Sequence, residues 1–209
     1  MKVYTLNGKV LTNSANDKWL QKKEGPIAEY VTIGNQIWAA KDLEFTDGGS
    51  GIVITDDLLD YDDQPLGTKY FYTGTAADRI KDAVAAAYPG WHIPTKAEWD
   101  TLVNSLGRYK QEWVSDGHDA FDALAATSGW EGHDGLDTYG FNGRPTGTWQ
   151  SGRGQQLKGR TLNYWTSTND GTYQWYINLL SYSSDYYVSA SNGQMSTNYA
   201  SIRLIKDSE

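Results

Sequence analysis

The chain contains no cysteine in its 209 residues. Disulfide bridges, thiolate metal sites and cysteine nucleophiles are therefore excluded. Long hydrophobic runs are also missing, since no segment approaches the about 20 apolar residues that a membrane-spanning helix needs. The first residues, MKVYTLNGKVLTNSANDKWL, lack the apolar segment of a secretory signal. We therefore expect no membrane insertion and no secretion signal in this chain.

Positive charge is also scarce. The chain carries 18 Lys and Arg against 26 Asp and Glu, which gives a formal net charge of −8. Proteins that bind nucleic acids need clustered Lys and Arg to neutralise the phosphates. Nucleic acid is therefore not an expected partner.

Residues suited to catalysis or metal binding are few. The histidines are His92, His118 and His133, and no zinc-ligand spacing, nucleophile motif or phosphate-binding loop surrounds them. We expect a hydrogen-bonded structural role for His92. His118 and His133 lie beside Asp in glycine-rich loops, where two histidines without a third ligand do not define a metal site. We expect no enzymatic activity, no cofactor and no metal.

Acidic residues concentrate in the segment 47–67, which holds five Asp between positions 56 and 63. A calcium-binding loop would need such oxygens at a defined spacing, with a glycine at the bend. The segment lacks that spacing. We interpret it as a solvated insertion, with a calcium loop as the alternative.

Tyrosine, by contrast, is abundant, with 15 Tyr beside nine Trp. Residues 163–199 hold seven of these Tyr with seven Ser and five Asn, and they include no Lys, Arg, Glu, Pro or His. Tyr offers a large, rigid contact area and Ser and Asn offer adaptable hydrogen bonds, a composition typical of recognition surfaces. A solvated antiparallel sheet is the alternative, but such a sheet usually protects itself with charged residues. The segment therefore predicts a display surface on a separate scaffold.

The predicted ligand-binding residues are polar and tyrosine positions of this segment. They are Tyr164, Ser167, Asn169, Asp170, Thr172, Tyr173, Tyr176, Asn178, Ser181, Tyr182, Ser184, Asp185, Tyr186, Tyr187, Ser189, Ser191, Asn192, Asn198 and Tyr199. We expect six tyrosines to be exposed on one side, namely Tyr173, Tyr176, Tyr182, Tyr186, Tyr187 and Tyr199. We expect four tryptophans to be buried, namely Trp91, Trp99, Trp165 and Trp175.

Two segments show helical periodicity. In residues 75–88 Thr75 is the expected N-cap. In residues 95–107 Thr95 and Glu98 match a capping box, and Gly107 is placed to end the helix. The expected buried positions are Ile80, Ala83, Val84 and Ala87 in the first helix and Trp99, Leu102, Val103 and Leu106 in the second. A short helix over residues 119–127 is a further prediction.

Strand signals are clearest at a hairpin and near the C-terminus. Gly34 and Asn35 separate two short apolar runs and predict a hairpin. Residues 175–180 alternate, with Trp175, Ile177 and Leu179 expected inward, and residues 200–206 predict a final strand. Helices early and strands late indicate the α+β class. We expect an N-terminal arm or hairpin over 1–25 and one domain over 26–209, with a variable display region at 163–199.

Seven ordered motifs resemble the Fibrobacter succinogenes major paralogous domain over about residues 30–207. They are IGNQIWAAKDL, GTKYFYTGTAA, YPGWHIPTKAEWDTLVNSLG, the Gly129-Trp130 pair, TYGFNGRPTG, LNYWTSTND and SIRLIKD. The resemblance implies a C-type-lectin-like fold with two main helices, a small twisted antiparallel sheet and long loops. The chain is also similar to variable proteins of diversity-generating retroelements, in which adenines of a C-terminal coding segment are randomised. Only Thr168-Asn169-Asp170 is similar to a lectin calcium motif, and we interpret it as a turn with lectin-type calcium binding as the alternative.

The family pattern implies a Cys in each of two motifs where this chain has Tyr88 or Pro89, and Leu204. Because both are replaced, we expect packing in place of a cross-link, which fits folding in a reducing compartment. An outer-surface lipoprotein, which the resemblance would otherwise imply, is therefore less favoured. We expect a phage virion component or a cell-surface protein.

Randomised adenines in an Asn codon reach Tyr, Ser, Asp, Thr and Gly, but never Lys, Glu, Gln, Met or Trp. The expected fixed scaffold positions are then Trp165, Gln174, Trp175, Gln194 and Met195. We expect a binding protein whose diversified surface recognises an unknown protein or glycan on a cell surface. The alternative is a structural or assembly subunit of a virion or surface complex with a fixed partner, and an enzyme of unknown reaction is the third hypothesis.

Overall fold

The structure is a computed structural model of the chain. It describes residues 2–6, 9–13, 21–22, 27, 29–107, 109 and 118–207. Within these residues the chain forms fifteen strands in three sheets and three helices of 14, 11 and 7 residues. The fold is therefore mostly β, and the expected α+β, C-type-lectin-like layout is wrong.

In chain order, the strands are β1 (Lys2–Leu6), β2 (Lys9–Asn13), β3 (Gln21–Lys22), β4 (Glu29–Ile33), β5 (Gln36–Ala39), β6 (Ile52–Thr55), β7 (Lys69–Thr73), β8 (Trp91–His92), β9 (Thr148–Gln150), β10 (Gly154–Gln156), β11 (Thr161–Asn169), β12 (Tyr173–Tyr182), β13 (Asp185–Gln194), β14 (Tyr199–Ala200) and β15 (Ile205–Lys206). The helices are α1 (Gly74–Ala87), α2 (Lys96–Leu106) and α3 (His118–Leu124). The first sheet has the order β1-β2-β3-β4-β5-β15-β8, the second β10-β9-β14-β7-β6 and the third β11-β12-β13.

Short strands explain why the sequence underestimates the β content. β8, β14 and β15 have two residues each and β9 and β10 have three. Such lengths are too short for the two-residue alternation on which a strand prediction depends. Several strands also pair with partners remote in the chain, since Ile205 lies opposite both Trp38 and His92. Remote pairing leaves no local signal in the sequence.

Elements that depend on turn or cap chemistry are confirmed. The β4–β5 hairpin turns at Gly34, which has a φ of 60°. In α2, Thr95 Oγ1 accepts a hydrogen bond from the Glu98 amide at 3.2 Å, and Glu98 Oε2 accepts one from the Thr95 amide at 2.7 Å. Gly107 ends this helix with a φ of 148°. The fully buried residues of the helix are Trp99, Leu102 and Val103.

Helix α1 begins earlier than the sequence predicts. Its N-cap is Thr73 rather than Thr75, and Thr73 Oγ1 accepts a hydrogen bond from the Ala76 amide at 3.1 Å. Gly74 then lies in the first turn, where a Cβ would come within 2.9 Å of Met195 Cα. The buried residues shift accordingly. They are Gly74, Ala76, Ala77, Ile80 and Val84, whereas Ala83 and Ala87 are exposed.

The acidic segment 47–67 is solvated at Asp56, Asp57, Asp62 and Asp63, but it is also part of the fold. It contains β6, which pairs with β7 in the second sheet. The side chain of Asp60 is buried, and its Oδ1 accepts hydrogen bonds from the amides of Asp62 at 3.1 Å and Gln64 at 2.9 Å. Its Oδ2 accepts a hydrogen bond from Arg144 at 3.1 Å. Asp60 therefore fixes the turn that follows β6.

The predicted C-terminal strand 200–206 is divided between two sheets. Its start belongs to β14, opposite Tyr72 of β7, and its end belongs to β15. The residues between are buried on both faces: Ser201, Ile202, Arg203 and Leu204. Such a segment does not show the one-sided burial of a surface strand.

Strand β11 joins two core clusters through its two faces. Tyr164 packs in the first cluster, where its ring stacks on Trp99 with centroids 5.5 Å apart. Trp165 points the other way into the second cluster, and its Nε1 donates a hydrogen bond to the Tyr72 carbonyl at 2.7 Å. Large buried side chains of this kind contribute about 1.5–3 kcal/mol each. The third sheet is thereby fixed on both sides at this end.

The N-terminal strands extend the first sheet. β1 pairs with β2, and β3 pairs with both β2 and β4. The rest of the expected arm 1–25 lies outside the described residues. The division into an arm 1–25 and a domain 26–209 stays a prediction.

Candidate ligand-binding site

The segment 163–199 forms most of the third sheet and the start of β14. β12 and β13 pair without interruption from Tyr173 opposite Gln194 to Tyr182 opposite Asp185. Facing side chains lie on the same face, and the face alternates along each strand. We call one of these faces the outer face. Its accessible residues are Asn163, Tyr176, Asn178, Leu180, Tyr182, Asp185, Tyr187, Ser189 and Ser191, whereas Thr161, Trp165, Gln174 and Gly193 share the face but are buried.

The opposite face of the same sheet enters the first core cluster. Its central residues Ile177, Leu179 and Val188 are fully buried. The predicted ligand-binding residues Tyr173, Tyr186 and Asn192 also belong to this face. The expectation that six tyrosines share one side is therefore wrong for Tyr173 and Tyr186.

Tyr186 is held between two histidines. Its ring stacks on His118 with centroids 4.1 Å apart and on His133 with centroids 3.8 Å apart, each at an interplanar angle of 19°. Desolvation raises the pKa of the Tyr186 phenol, and the charges of Asp122 and Asp119 raise it further. Both ring faces have partners within the protein, so Tyr186 stabilises the contact between α3 and β13 rather than offering its ring to a ligand.

Tyr164 and Ser181 are corrections to the predicted site, because both are fully buried. The Tyr164 hydroxyl donates a hydrogen bond to Asp42 Oδ1 at 2.9 Å. Ser181 Oγ donates to the His133 carbonyl at 2.9 Å and accepts from the His133 amide at 2.6 Å. Their periodicity placed them on strands but could not show that their faces were covered.

Four predicted residues lie at the bulge and turn between β11 and β12: Ser167, Asn169, Asp170 and Thr172. Asn169 Nδ2 donates a hydrogen bond to Asp78 Oδ1 at 3.2 Å. Asp170 Oδ1 accepts from the amides of Tyr173 at 2.7 Å and Thr172 at 2.9 Å, which lowers the pKa of Asp170. Thr168 and Asn169 end β11 and Asp170 begins the turn, so the interpretation of Thr168-Asn169-Asp170 as a turn holds only for Asp170.

The turn between β12 and β13 carries Ser184 and Asp185, and both are exposed. Close to it, the ring of Tyr182 lies 4.3 Å from the Arg160 guanidinium carbon. Arg160 in turn donates a hydrogen bond to Glu131 Oε1 at 3.0 Å. This end of the outer face is therefore bordered by charge, unlike its centre.

The expected scaffold positions differ in burial. Trp165, Gln174 and Met195 are buried. Trp175 is only half-buried, with Lys96 Nζ 5.0 Å from its ring centroid, and Gln194 is exposed. The expected burial of Trp175 is therefore wrong in degree, whereas Trp91, Trp99 and Trp165 are buried as predicted.

A groove of 340 Å³ lies where the outer face meets β9 and β14. Its lining residues are Thr148, Trp149, Gln150, Asn163, Trp165, Tyr176, Thr197, Asn198, Tyr199 and Ala200. The volume lies within the range of about 300–1,000 Å³ found for small-molecule sites. Three predicted residues, Tyr176, Asn198 and Tyr199, come together here. The groove is thus the place where the predicted surface becomes concave.

Core neighbours fix the aromatic walls of this groove. The Trp149 ring stacks on Phe71 with centroids 6.1 Å apart and an interplanar angle of 25°. Tyr176 meets Trp165 edge-on at 5.7 Å and 88°. Trp149, Tyr176 and Tyr199 stay half-buried, so each ring keeps accessible surface. A ligand would meet rings whose orientation is already set.

Hydrogen bonds between side chains of the third sheet orient the Asn163 amide at the groove. Asn178 Nδ2 donates hydrogen bonds to Asn163 Oδ1 and, at 2.6 Å, to Thr161 Oγ1. The Asn163 amide is therefore turned with its oxygen toward β12. Its Nδ2 has no hydrogen-bond acceptor among the described residues. Because Asn163 lines the groove, its amide nitrogen is a candidate donor to a ligand.

Gly193 allows two lining residues to approach each other. A Cβ at this position would collide with Asn198 Nδ2 and would lie 3.4 Å from Tyr176 Cε1. Because Gly193 has no side chain, the Asn198 amide packs directly over the strand beside Tyr176. The position of Asn198 thus depends on a glycine in the neighbouring strand.

The groove is electrically neutral, since none of its ten lining residues carries a formal charge. Its residues Thr148, Trp149 and Gln150 lie outside the predicted segment and were missed. β9 reaches the site because Trp149 lies opposite Tyr199 in the second sheet. The only local signal is a lone Trp after Gly147, which has a φ of 72°. That signal marks a turn but does not indicate where the strand pairs.

His92 is hydrogen-bonded as expected, whereas its structural role stays a prediction. Its Nδ1 lies 2.5 Å from Asp207 Oδ1 and its Nε2 lies 2.9 Å from Glu98 Oε1. Across the part of the chain that the structure describes, no group of three or more His, Cys, Asp or Glu is arranged to hold a metal ion.

Comparison with known proteins gives one match. The sequence model of the Fibrobacter succinogenes major domain matches residues 31–206. The chain belongs to this family. No curated protein and no solved structure matches the chain at a significant level. The Fibrobacter succinogenes major domain of this chain thus includes all three helices, the third sheet and the groove.

The positions at which the resemblance implies cysteines are Tyr88 or Pro89, and Leu204. Tyr88 and Leu204 line a second cavity, of 280 Å³, and Tyr88 packs against the core cluster that contains Leu204. Replacement of a cross-link by packing stays a prediction. Among the described residues, no helix has the length and apolar character to cross a membrane.

Proposed function

We propose that this chain is a non-enzymatic binding protein that recognises a protein or glycan on a cell surface through the outer face and the adjoining groove. The observation that supports the proposal is the chemistry of that face. Its centre combines Tyr176, Asn178, Tyr187, Ser189 and Ser191 without a charged side chain, next to a preformed groove. Tyr, Ser and Asn are the residues that recognition surfaces favour.

The construction of the sheet supports the same proposal. The outward side chains alternate with core residues of the opposite face, so one sheet supplies both the contacts and their rigid support. Recognition residues on a rigid element lose little conformational freedom when they bind. The groove offers no carboxylate, imidazole or amine as an acid or base, which favours binding over catalysis.

We further propose that the outer face is diversified at the level of the gene and that the protein is displayed on a phage virion or a cell surface. The composition of residues 163–199 supports diversification, because Lys and Glu are absent from the segment. Sequencing of the gene and its flanks tests this proposal. A near-identical, adenine-rich template beside a reverse transcriptase gene is expected. A template without adenines at the codons of the outer-face residues, or no template at all, would contradict it.

Cell binding tests the recognition function. The fluorescently labelled protein is incubated with intact cells of a panel of Gram-negative and Gram-positive bacteria, and bound protein is measured by flow cytometry. The triple variant Tyr187→Ala, Ser189→Ala, Ser191→Ala is expected to lose at least about tenfold in affinity, since Tyr anchors can each contribute 2 kcal/mol or more. The control is the triple variant Tyr173→Ala, Asn192→Ala, Gln194→Ala, which changes the opposite face.

Both variants are expected to keep the thermal midpoint of the parent protein, because exposed substitutions usually change stability by no more than about 0.5 kcal/mol each. Binding that falls only in the first variant supports the proposal. Equal loss in both variants, or no binding to any cell of the panel, contradicts it.

A structural or assembly subunit is the second candidate, and one observation favours it. Within the described residues, the ten-residue β13 pairs only with β12, and it contains no Lys, Arg or Pro that would protect an open edge. Such an edge is suited to pairing with a strand of another subunit. Light scattering coupled to size-exclusion chromatography tests this candidate. A concentration-dependent oligomer that Ala190→Pro in β13 abolishes would favour assembly over ligand recognition.

A further inference from the structure

We propose that the groove between β9, β12 and β14 is a binding site for a neutral saccharide. The inference rests on the proposed function and names the chemical class of ligand that this part of the surface takes. The first step is charge. A charged ligand would lose hydration when it enters the groove, and none of the lining residues carries an opposite charge that would compensate for this loss. A neutral ligand has no such penalty.

The second step concerns the hydrogen-bonding groups that line the groove. Amides of Gln150, Asn163 and Asn198 and hydroxyls of Thr148 and Thr197 line the groove. Each amide both donates and accepts, and each hydroxyl does the same. Sugar hydroxyls also donate and accept, so they match this set of groups without leaving a buried polar atom unpaired. Asn163 contributes a donor that its bond from Asn178 has already oriented.

The third step concerns the apolar surface. Trp149, Tyr176 and Tyr199 expose part of their rings to the groove. The C–H face of a pyranose ring is flat and apolar, and it buries well against an aromatic ring, while the ring edge stays free for hydroxyl contacts. Trp149 is held by Phe71, so little side-chain freedom is lost when a ligand covers it.

The fourth step distinguishes a saccharide from a peptide. An extended peptide is usually bound through the open edge of a sheet, which supplies a ladder of backbone hydrogen bonds. Among the described strands beside this groove, β9 lies between β10 and β14, and β12 lies between β11 and β13. The outer edge of β11 is covered, because the Trp165 amide donates a hydrogen bond to the Ser201 carbonyl at 2.9 Å and the Gly147 amide donates one to the Thr161 carbonyl at 2.8 Å. The groove therefore presents side chains only. This arrangement fits a ligand without a peptide backbone.

Titration calorimetry with defined probes tests the inference. The neutral probes are cellohexaose, xylohexaose, mannohexaose, maltohexaose and chitohexaose, and hexagalacturonate is the charged comparison. At least one neutral probe is expected to bind with a dissociation constant in the micromolar to millimolar range. Hexagalacturonate is expected to bind at least about tenfold more weakly than that probe, because one factor of ten corresponds to about 1.4 kcal/mol.

Matched variants locate the bound probe. Trp149→Ala is expected to weaken the affinity for the probe at least about tenfold. Trp175 is a half-buried Trp outside the groove, and Trp175→Ala is expected to weaken the affinity less than about twofold. Asn198→Ala and Asn192→Ala form a second pair in which both residues are exposed, so the test survives if Trp149→Ala does not fold. Gly193→Ala, which displaces the Asn198 amide, is expected to weaken the probe as much as Asn198→Ala does.

The inference is overturned if no neutral probe binds, if hexagalacturonate binds as tightly, or if the groove variants bind like their controls. Its failure is distinct from failure of the proposed function. If cell binding depends on Tyr187, Ser189 and Ser191 but no neutral probe binds in the groove, the saccharide site is wrong and recognition by the outer face is retained. If a probe binds in the groove but the protein binds no cells, the proposed cell recognition is wrong and the saccharide site is retained.

Discussion

Arg203 Nε and Nη2 both donate hydrogen bonds to Asp42 Oδ1, at 2.9 and 2.6 Å. Arg203 Nη1 donates to the carbonyls of Phe141 at 2.7 Å and Ala39 at 3.2 Å. Arg203 is buried, and its guanidinium carbon lies 4.3 Å from the Phe141 ring centroid. The segment between β14 and β15 is thereby tied to the first sheet by a satisfied ion pair. Removal of one partner would leave the other charge buried and alone.

Arg203→Ala is therefore expected to lower the free energy of unfolding by about 3–5 kcal/mol. Urea denaturation followed by tryptophan fluorescence measures the change. Arg153→Ala is the control, since Arg153 is exposed and its loss is expected to cost no more than about 0.5 kcal/mol. Equal midpoints for the two variants would show that the ion pair does not stabilise the fold.

Acid stability is expected to depend on Asp42. Burial alone would raise the pKa of its carboxyl, but the charges of Arg203 and Lys69 and hydrogen bonds from Arg203 and Tyr164 outweigh it, so the pKa lies below its ordinary 3.8. A lowered folded-state pKa means that the stabilisation is fully present above the unfolded-state pKa and is lost as the pH falls through the folded value.

Asp42→Asn removes that titration. Urea midpoints measured from pH 6 down to about pH 2 are expected to fall more steeply in the parent protein than in Asp42→Asn, even though the variant is less stable at neutral pH. Parallel curves would show that the Asp42 carboxyl has the same pKa in the folded and unfolded chains.

The Arg203 environment also shows what the sequence could not reveal. Alternation over residues 200–206 placed Arg203 beside Ser201 and Ile205 on one face of a single strand, but both faces of this segment are covered. The capping box of Thr95 and Glu98 was predictable because all its atoms lie within one turn of chain. Burial by remote segments has no such local signal.

The candidate site also combines features that the sequence could show with contacts that it could not. The recognition composition of residues 163–199 was visible in the sequence, and alternation predicted a strand over 175–180 with Tyr176 and Asn178 facing outward. The sequence could not show that His118 and His133 cover Tyr186, nor that β9 brings Trp149 to the groove. These contacts depend on pairing between parts of the chain that are far apart in sequence.

His92 is expected to titrate above its ordinary pKa of 6.5. The hydrogen bond with Glu98 raises the pKa most, and Asp207 adds to it, against a smaller effect of burial. Because the folded pKa is raised, this contribution to stability is fully present below the unfolded-state pKa and is lost as the pH rises through the folded value. NMR titration of the His92 imidazole protons measures the pKa directly.

Glu98→Gln is the matched variant for this titration. Gln retains the reciprocal hydrogen bond of the capping box but removes the charge beside His92. The pKa of His92 is expected to fall toward its ordinary value in Glu98→Gln, and the helix is expected to remain. A pKa of His92 that does not change would assign the shift to Asp207 alone.

Trp99 is expected to be among the costliest positions for substitution. Its ring is fully buried, lies 4.5 Å from the Trp38 centroid and stacks on Tyr164. Trp99→Ala leaves a large cavity in the first core cluster and is expected to cost about 3–5 kcal/mol. Guanidinium denaturation compares it with Trp175→Ala, whose half-buried ring packs under Lys96 and is expected to cost less. A larger loss of unfolding free energy in Trp175→Ala than in Trp99→Ala would contradict the central role of Trp99 in the core.

Because β12 and β13 run for ten residues each in unbroken register, neighbouring positions along them are under opposite selective demands. A change at Val188 alters the core, whereas changes at the half-exposed Tyr187 and Ser189 alter mainly the surface. At the centre of these strands, heritable variation is therefore better tolerated at alternate codons. A new binding specificity and an intact fold can then be inherited together, since the codons that determine them alternate within the same short stretch of gene.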